Sequence, residues 1–86
     1  RRAEAEARKA QAKIRRESEK RVHDLEMHIA TLEGQQKELA AELEDPAVYE
    51  PGGRAVAINR ELSAVSEELE RLNAEWEKAT AELTCA

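Results

Sequence analysis

Two runs of this chain repeat at alternating spacings of three and four residues, and the runs mirror each other. Ser18, Val22, Leu25, Ile29, Leu32, Gln36, Leu39 and Leu43 form the first, and Ile58, Leu62, Val65, Leu69, Leu72, Trp76, Ala79 and Leu83 the second. Such alternation averages about 3.5 residues, the repeat that keeps one seam of a helix turned toward a partner in a left-handed supercoil. Between the runs lies "LEDPAVYEPGGRAVAINREL", with both prolines and two of the three glycines. Folding the chain at residues 50 and 51 sets opposite each other positions whose numbers sum to 101. Leu43 then meets Ile58, Leu39 meets Leu62, Gln36 meets Val65 and Leu32 meets Leu69. Further out, Ile29 meets Leu72, Leu25 meets Trp76, Val22 meets Ala79 and Ser18 meets Leu83. Every layer places an a-type position against a d-type one, as antiparallel packing requires. The predicted fold is therefore all-α: an antiparallel two-helix coiled-coil hairpin with a short capped turn near residues 45–53. Each well-buried Leu or Ile contributes roughly 1.5–3 kcal/mol, so these layers can hold a hairpin without a further domain.

Composition supports this and little else. The 86 residues are 38% charged and 2% aromatic, with no Phe, which cannot fill an ordinary globular core. Disordered chains share the polarity but lack the strict spacing. No apolar run approaches the roughly 20 residues that span a bilayer, and no signal-peptide pattern is present. The single cysteine, Cys85, reads as an incidental thiol and fits a reducing compartment, so a cytoplasmic location is expected. The first residue is Arg1 and the opening already reads as mid-helix, as expected for a piece of a longer protein.

The turn has its own chemistry. Asp45 is placed to cap a short helical turn with Pro46 at its first position, where a missing N–H costs nothing. Val48 and Tyr49 are expected to cover the end of the core, and Glu50-Pro51-Gly52-Gly53 to break the chain before Arg54 opens the second helix. Gly34 falls on the outer face of the first helix. Along the seam, Glu61, Glu68, Glu75 and Glu82 recur every seven residues, and the register sets Glu42, Gln35, His28 and Arg21 opposite them. Attraction is expected at the open end, Arg21 with Glu82, and repulsion near the tip, Glu42 with Glu61. Exposed pairs of this kind tune a register and do not set it.

Charge is unevenly distributed. Residues 1–21 carry nine Lys or Arg and four Glu, a balance of +5, while residues 22–86 carry five basic and fifteen acidic residues, a balance of −10. Residues 1–17 read as a basic helical arm or linker from an upstream domain and residues 18–86 as the hairpin, with residues 1–14 overhanging beyond the second helix. Arg2, Lys9, Lys13, Arg16 and Lys20 share one helical face, with Arg1, Arg8 and Arg15 alongside. A basic stripe is the electrostatic footprint of phosphate contacts. It is also what a solvated helix looks like when supported by pairs such as Glu4–Arg8 and Glu17–Arg21. Without interleaved aromatics to stack bases, contacts with nucleic acid are expected to be backbone-directed and weakly sequence-specific. They fall on the arm and on Arg54 and Arg60 beside the tip.

Catalytic chemistry is not expected. No glycine-rich phosphate loop is present, so no cofactor is expected in this segment. His23 and His28 are five apart and do not form an i, i+4 metal pair, so no metal site is expected. The carboxylates lie on solvated faces, and Trp76 takes a core position in the seam.

The stretches "DLEMHIATLE", "KELAAELEDPAVYE" and "INRELSAVSEELERLNAEWEKATAEL" resemble the C-terminal coiled-coil domain of ABC-F proteins, over roughly residues 20–83. The most specific features are Asp45-Pro46 followed by Tyr49 at the tip, and Trp76-Glu77 near the end. The resemblance implies a hairpin with a short 3₁₀ turn. It also implies a parent ATPase whose two cassettes, with their ATP and Mg, lie upstream, and an association with DNA or ribosomal RNA. The expected partners are therefore nucleic acid, bound weakly, and the upstream ATPase domains; no membrane partner is expected, and the hairpin is expected to be monomeric. Two alternatives stand beside this reading. One is a purely structural or protein-interaction hairpin. The other is a tRNA-contacting C-terminal arm of a class I aminoacyl-tRNA synthetase, which also pairs two heptad helices about an Asn/Asp-Pro tip.

Overall fold

A computed structural model describes residues 1–85, except for the side chain of Cys85; the reading of its thiol and the last residue of the hairpin, Ala86, lie outside the described residues. Helix α1 runs Arg2–Glu42, a 3₁₀ turn spans Pro46–Tyr49, and helix α2 runs Ala55–Cys85. The two helices pack antiparallel into a rod of 74 × 15 × 14 Å. α1 alone accounts for about 60 Å of that length at 1.5 Å per residue.

Burial follows the predicted seam. Leu25, Ile58, Leu69, Leu72 and Ala79 are buried, and the other eleven seam positions, from Ser18 and Val22 to Leu83, are half-buried. Leu25, Leu72 and Ala79 form a cluster against which Val22, Ile29, Leu32 and Trp76 pack. Two cross-helix hydrogen bonds fix the register: the Gln36 amide donates to Ser66 Oγ at 3.2 Å, and the Trp76 indole N–H donates to Glu26 Oε2 at 3.2 Å. Both partners lie one residue from the positions that the 101 rule sets opposite, so the two helices are in the expected alignment. The polar layer at Gln36 is thus satisfied by a seam-edge hydroxyl, and a polar seam residue with one good partner favours one register over its neighbours.

The tip is built as a cap. Asp45 accepts a hydrogen bond from the Ala47 amide at 3.0 Å, with Pro46 first in the 3₁₀ turn. Ile58, 1% exposed, closes the apolar seam beneath it. Gly52 takes φ +83°, the left-handed region that L side chains rarely adopt. Gly53 is required for a different reason, since a Cβ there would stand 2.2 Å from the Val48 carbonyl oxygen. One expectation needs correcting. Val48 is half-buried, but Tyr49 is 62% exposed and does not cover the core. Its hydroxyl donates to the Leu43 carbonyl oxygen at 2.7 Å instead. That carbonyl belongs to the residue just past the end of α1, where no intrahelical N–H remains to serve it.

Candidate nucleic-acid interface

With a turn of 3.6 residues, each step along a helix rotates the side chain by roughly 100°. Counted from Ser18, the seam positions of α1 cluster about one direction, and Arg2, Lys9, Lys13, Arg16 and Lys20 cluster about the opposite one. The basic stripe therefore lies on the outer face of α1, turned away from α2. From Glu6 to Glu17 every residue is exposed, as expected where α1 runs on beyond its partner.

Ion pairs divide the stripe. Arg2 pairs with Glu6 at 3.8 Å, Lys13 with Glu17 at 4.0 Å and Lys20 with Asp24 at 2.7 Å, all at i, i+4 and all solvent-exposed. Arg15, on the flank, pairs with Glu19 at 3.1 Å. Lys9 and Arg16 have no carboxylate within ion-pair distance among the described residues. Neither expected pair forms: Glu17 turns back to Lys13 and not forward to Arg21, and Glu4 and Arg8 have no ion pair among the described residues. Arg21 borders a depression with Glu75, Lys78, Ala79 and Glu82, on the side that the register assigned to it, but the expected ion pair with Glu82 is absent among the described residues. The hydrogen bond with Lys20 holds the Asp24 carboxyl below the usual carboxylate range, and the same bond raises Lys20.

Arg54 and Arg60 stand at the other end of the rod. Arg54 pairs with Glu61 at 3.7 Å and lines a groove with Glu38, Glu42 and Glu61. A cation thus sits among the carboxylates whose mutual repulsion the sequence implied. Arg60 has no ion pair among the described residues and lies beside Val56, Asn59, Ser63 and Glu67. Residues 42–61 carry five carboxylates, Glu42, Glu44, Asp45, Glu50 and Glu61, against these two arginines, a balance of −3. The seven candidate residues are therefore not brought to one place: five lie along the basic arm and two at an acidic tip.

Along the body, Arg71 bridges the acidic edge, bonded to Glu68 and, at 3.2 Å, to Glu75. The hydrogen bond from Arg71 holds Glu68 below the ordinary glutamate range. Heptad spacing finds the row of glutamates but misses the arginine between two of them, although the sequence contains the signal: Glu68, Arg71 and Glu75 are spaced three and four apart. The Trp76–Glu26 bond carried no such signal, since its partners are fifty residues apart. Among the described residues, no group of three or more His, Cys, Asp or Glu side chains could hold a metal ion, and no helix is long and apolar enough to cross a membrane.

Compared with family models, residues 9–80 match the one described as the ABC transporter C-terminal domain. Comparison with curated proteins gives no match, and neither does comparison with solved structures.

Proposed function

We propose, for a chain that belongs to the ABC transporter C-terminal domain family, that the hairpin is an accessory module of a duplicated ABC ATPase of the ABC-F type and assists its association with nucleic acid. As a C-terminal domain of an ABC protein it is a non-catalytic part, distinct from the ATP-hydrolysing cassettes. On this reading those cassettes lie upstream with their ATP and Mg, the protein works in the cytoplasm, and the hairpin acts as a monomer. Residues 1–17 lead from the upstream domains into the hairpin of residues 18–86. One observation carries the reading: Arg2, Lys9, Lys13, Arg16 and Lys20, five of the nine cations of residues 1–21, lie on the outer face of α1, which α2 does not shield. A cationic stripe so placed meets phosphate without bringing the acidic body, at −10, into contact. With no aromatic residue on the arm, the contacts are to the backbone and independent of base sequence.

The test is binding to a labelled 20-base-pair duplex by fluorescence anisotropy over a salt series. Affinity is expected to fall as salt rises, and replacing Lys9, Lys13, Arg16 and Lys20 by Gln is expected to lower the affinity and flatten the salt slope. An unchanged slope removes the arm from the interface. A second reading, a structural connector, draws on the i, i+4 pairs of Arg2, Lys13, Arg15 and Lys20, which support a helix in water whether or not it binds anything. It predicts no binding at any salt concentration. The synthetase-arm reading gains nothing from the family match.

A further inference from the structure

Helix α1 carries two heptad repeats in different phase. Its seam in the hairpin begins Ser18, Val22, Leu25, and that phase carried back into the overhang falls on Arg15, Gln11, Arg8 and Glu4, all polar. One residue behind it, Ala3, Ala7, Ala10 and Ile14 repeat at four, three and four, within about 60° of one another around the helix. All four are exposed, and Ile14, at 62%, is the largest apolar side chain of the overhang. The step of one residue turns this second seam about 100° from the line that α2 follows along α1. It is an apolar heptad face with no helix against it.

We infer that this face pairs antiparallel with the same face of a second copy of the chain. Positions whose numbers sum to 17 then stand opposite: Ile14 against Ala3 of the second copy, and Ala7 against Ala10. The seam is its own complement, as a two-fold interface requires, and each layer again sets an a-type position against a d-type one. In the hairpin the seam sums to 101 and the flanking glutamate row to 103, two more. The same offset gives 19 here and sets Glu6 against Lys13 of the second copy, twice by symmetry. On the other flank, at two fewer, Glu4 meets Gln11, so neither edge of the seam opposes like charges. Within one chain, Glu6 and Lys13 hold only Arg2 at 3.8 Å and Glu17 at 4.0 Å, the two longest ion pairs among the described residues. Both pairs are solvent-exposed, so Glu6 and Lys13 are free to turn to a new partner. The layers lie clear of α2, since Cys85 comes level with residue 16 and the outermost layer with Ile14. Residues 1–14 carry five cations and two carboxylates, a balance of +3, so two arms repel each other as wholes. Their few Ala and Ile layers also bury far less than the roughly 1,200 Å² of a stable interface. The dimer is therefore weak, with a Kd on the order of 0.1–1 mM. At micromolar concentration the chain is a monomer, and each hairpin stays closed on itself throughout. This inference goes beyond the proposed function and does not rest on it.

Sedimentation equilibrium of the full chain, in reductant and low salt, tests the pairing. The apparent mass is expected to rise from 9.7 kDa toward twice that as concentration passes from about 10 µM to about 1 mM. I14E is expected to stay at the monomer mass throughout. E6K and K13E each turn two attractions between copies into repulsions, and each is expected to weaken association about tenfold. An equimolar mixture of these two variants restores both attractions in the heterodimer and is expected to recover the wild-type association. Loss of helicity in the arm, which either substitution also brings by breaking an i, i+4 pair, is not repaired by mixing. Three results overturn the inference: a wild-type chain that stays at 9.7 kDa at the highest concentration, a dimer that I14E leaves intact, or a mixture that associates no more tightly than its components. The second of these would place the contact on another surface of the molecule.

Discussion

Gly53 and Gly34 are the same residue in opposite surroundings. A Cβ at Gly53 would stand 2.2 Å from the Val48 carbonyl oxygen and 2.5 Å from its carbonyl carbon, all of it backbone inside a hydrogen-bonded turn that cannot step aside. Gly53→Ala is expected to cost about 1–3 kcal/mol, as overpacking does. A Cβ at Gly34 would meet nothing within 4 Å, in the middle of α1. Gly34→Ala is therefore expected to stabilise by about 1 kcal/mol, since Gly in a helix interior is that much worse than Ala. Urea denaturation of both variants checks the pair, and a sign reversal at either site would show that the tip or the helix has been misread. Tyr49 teaches a related lesson. The sequence offers a large ring near the core end, but the exposed Leu43 carbonyl is the partner that holds it.

At the scale of the element, the two helices are held by one narrow seam, so each layer matters more than it would in a globular core. Leu72, 2% exposed, sits at the centre of the cluster with Leu25 and Ala79. Leu72→Ala is expected to cost about 2–5 kcal/mol, a large share of what a two-helix hairpin has, and to lower the denaturation midpoint accordingly. The same substitution at Met27, 60% exposed on the outer face, is expected to leave the midpoint nearly unchanged. A comparable loss at both positions would mean that the outer face of α1 is also buried in solution. The α1 overhang depends on i, i+4 pairs instead, which is why its helicity and its charge cannot be altered independently at Arg2 or Lys13.

Across the whole molecule, charge is segregated: a basic end, an acidic body and an acidic tip along 74 Å. Its pH response follows from the pairs that shift. Glu68 is held below its ordinary value of 4.5 by Arg71, so this pair stabilises the fold above that value and the contribution disappears as pH falls through the lowered one. Arg71 is exposed and Glu68 only half-buried, so the effect is screened and shrinks with salt. Arg71→Gln is expected to lower the melting temperature at pH 7 in low salt, with the gap to wild type closing as pH drops through the acid range. A gap that widens on acidification would contradict the assignment.

The sequence by itself determined the hairpin, its register and its turn. The strict repeat fixes which face of each helix is apolar, and the single Pro/Gly break fixes where the faces can meet; the sixteen seam positions are buried or half-buried as that repeat requires. The seven basic candidates were legible as residue types. What only the tertiary structure decided was which charges are used up. Whether Glu17 takes Lys13 or Arg21, whether Arg54 reaches Glu61, and whether Glu26 finds the Trp76 indole depend on rotamers and on neighbours up to fifty residues distant. Seam packing repeats along the chain and can be read from its period, whereas a long polar side chain on a solvated face chooses among several partners of similar energy, and only the assembled surface selects one.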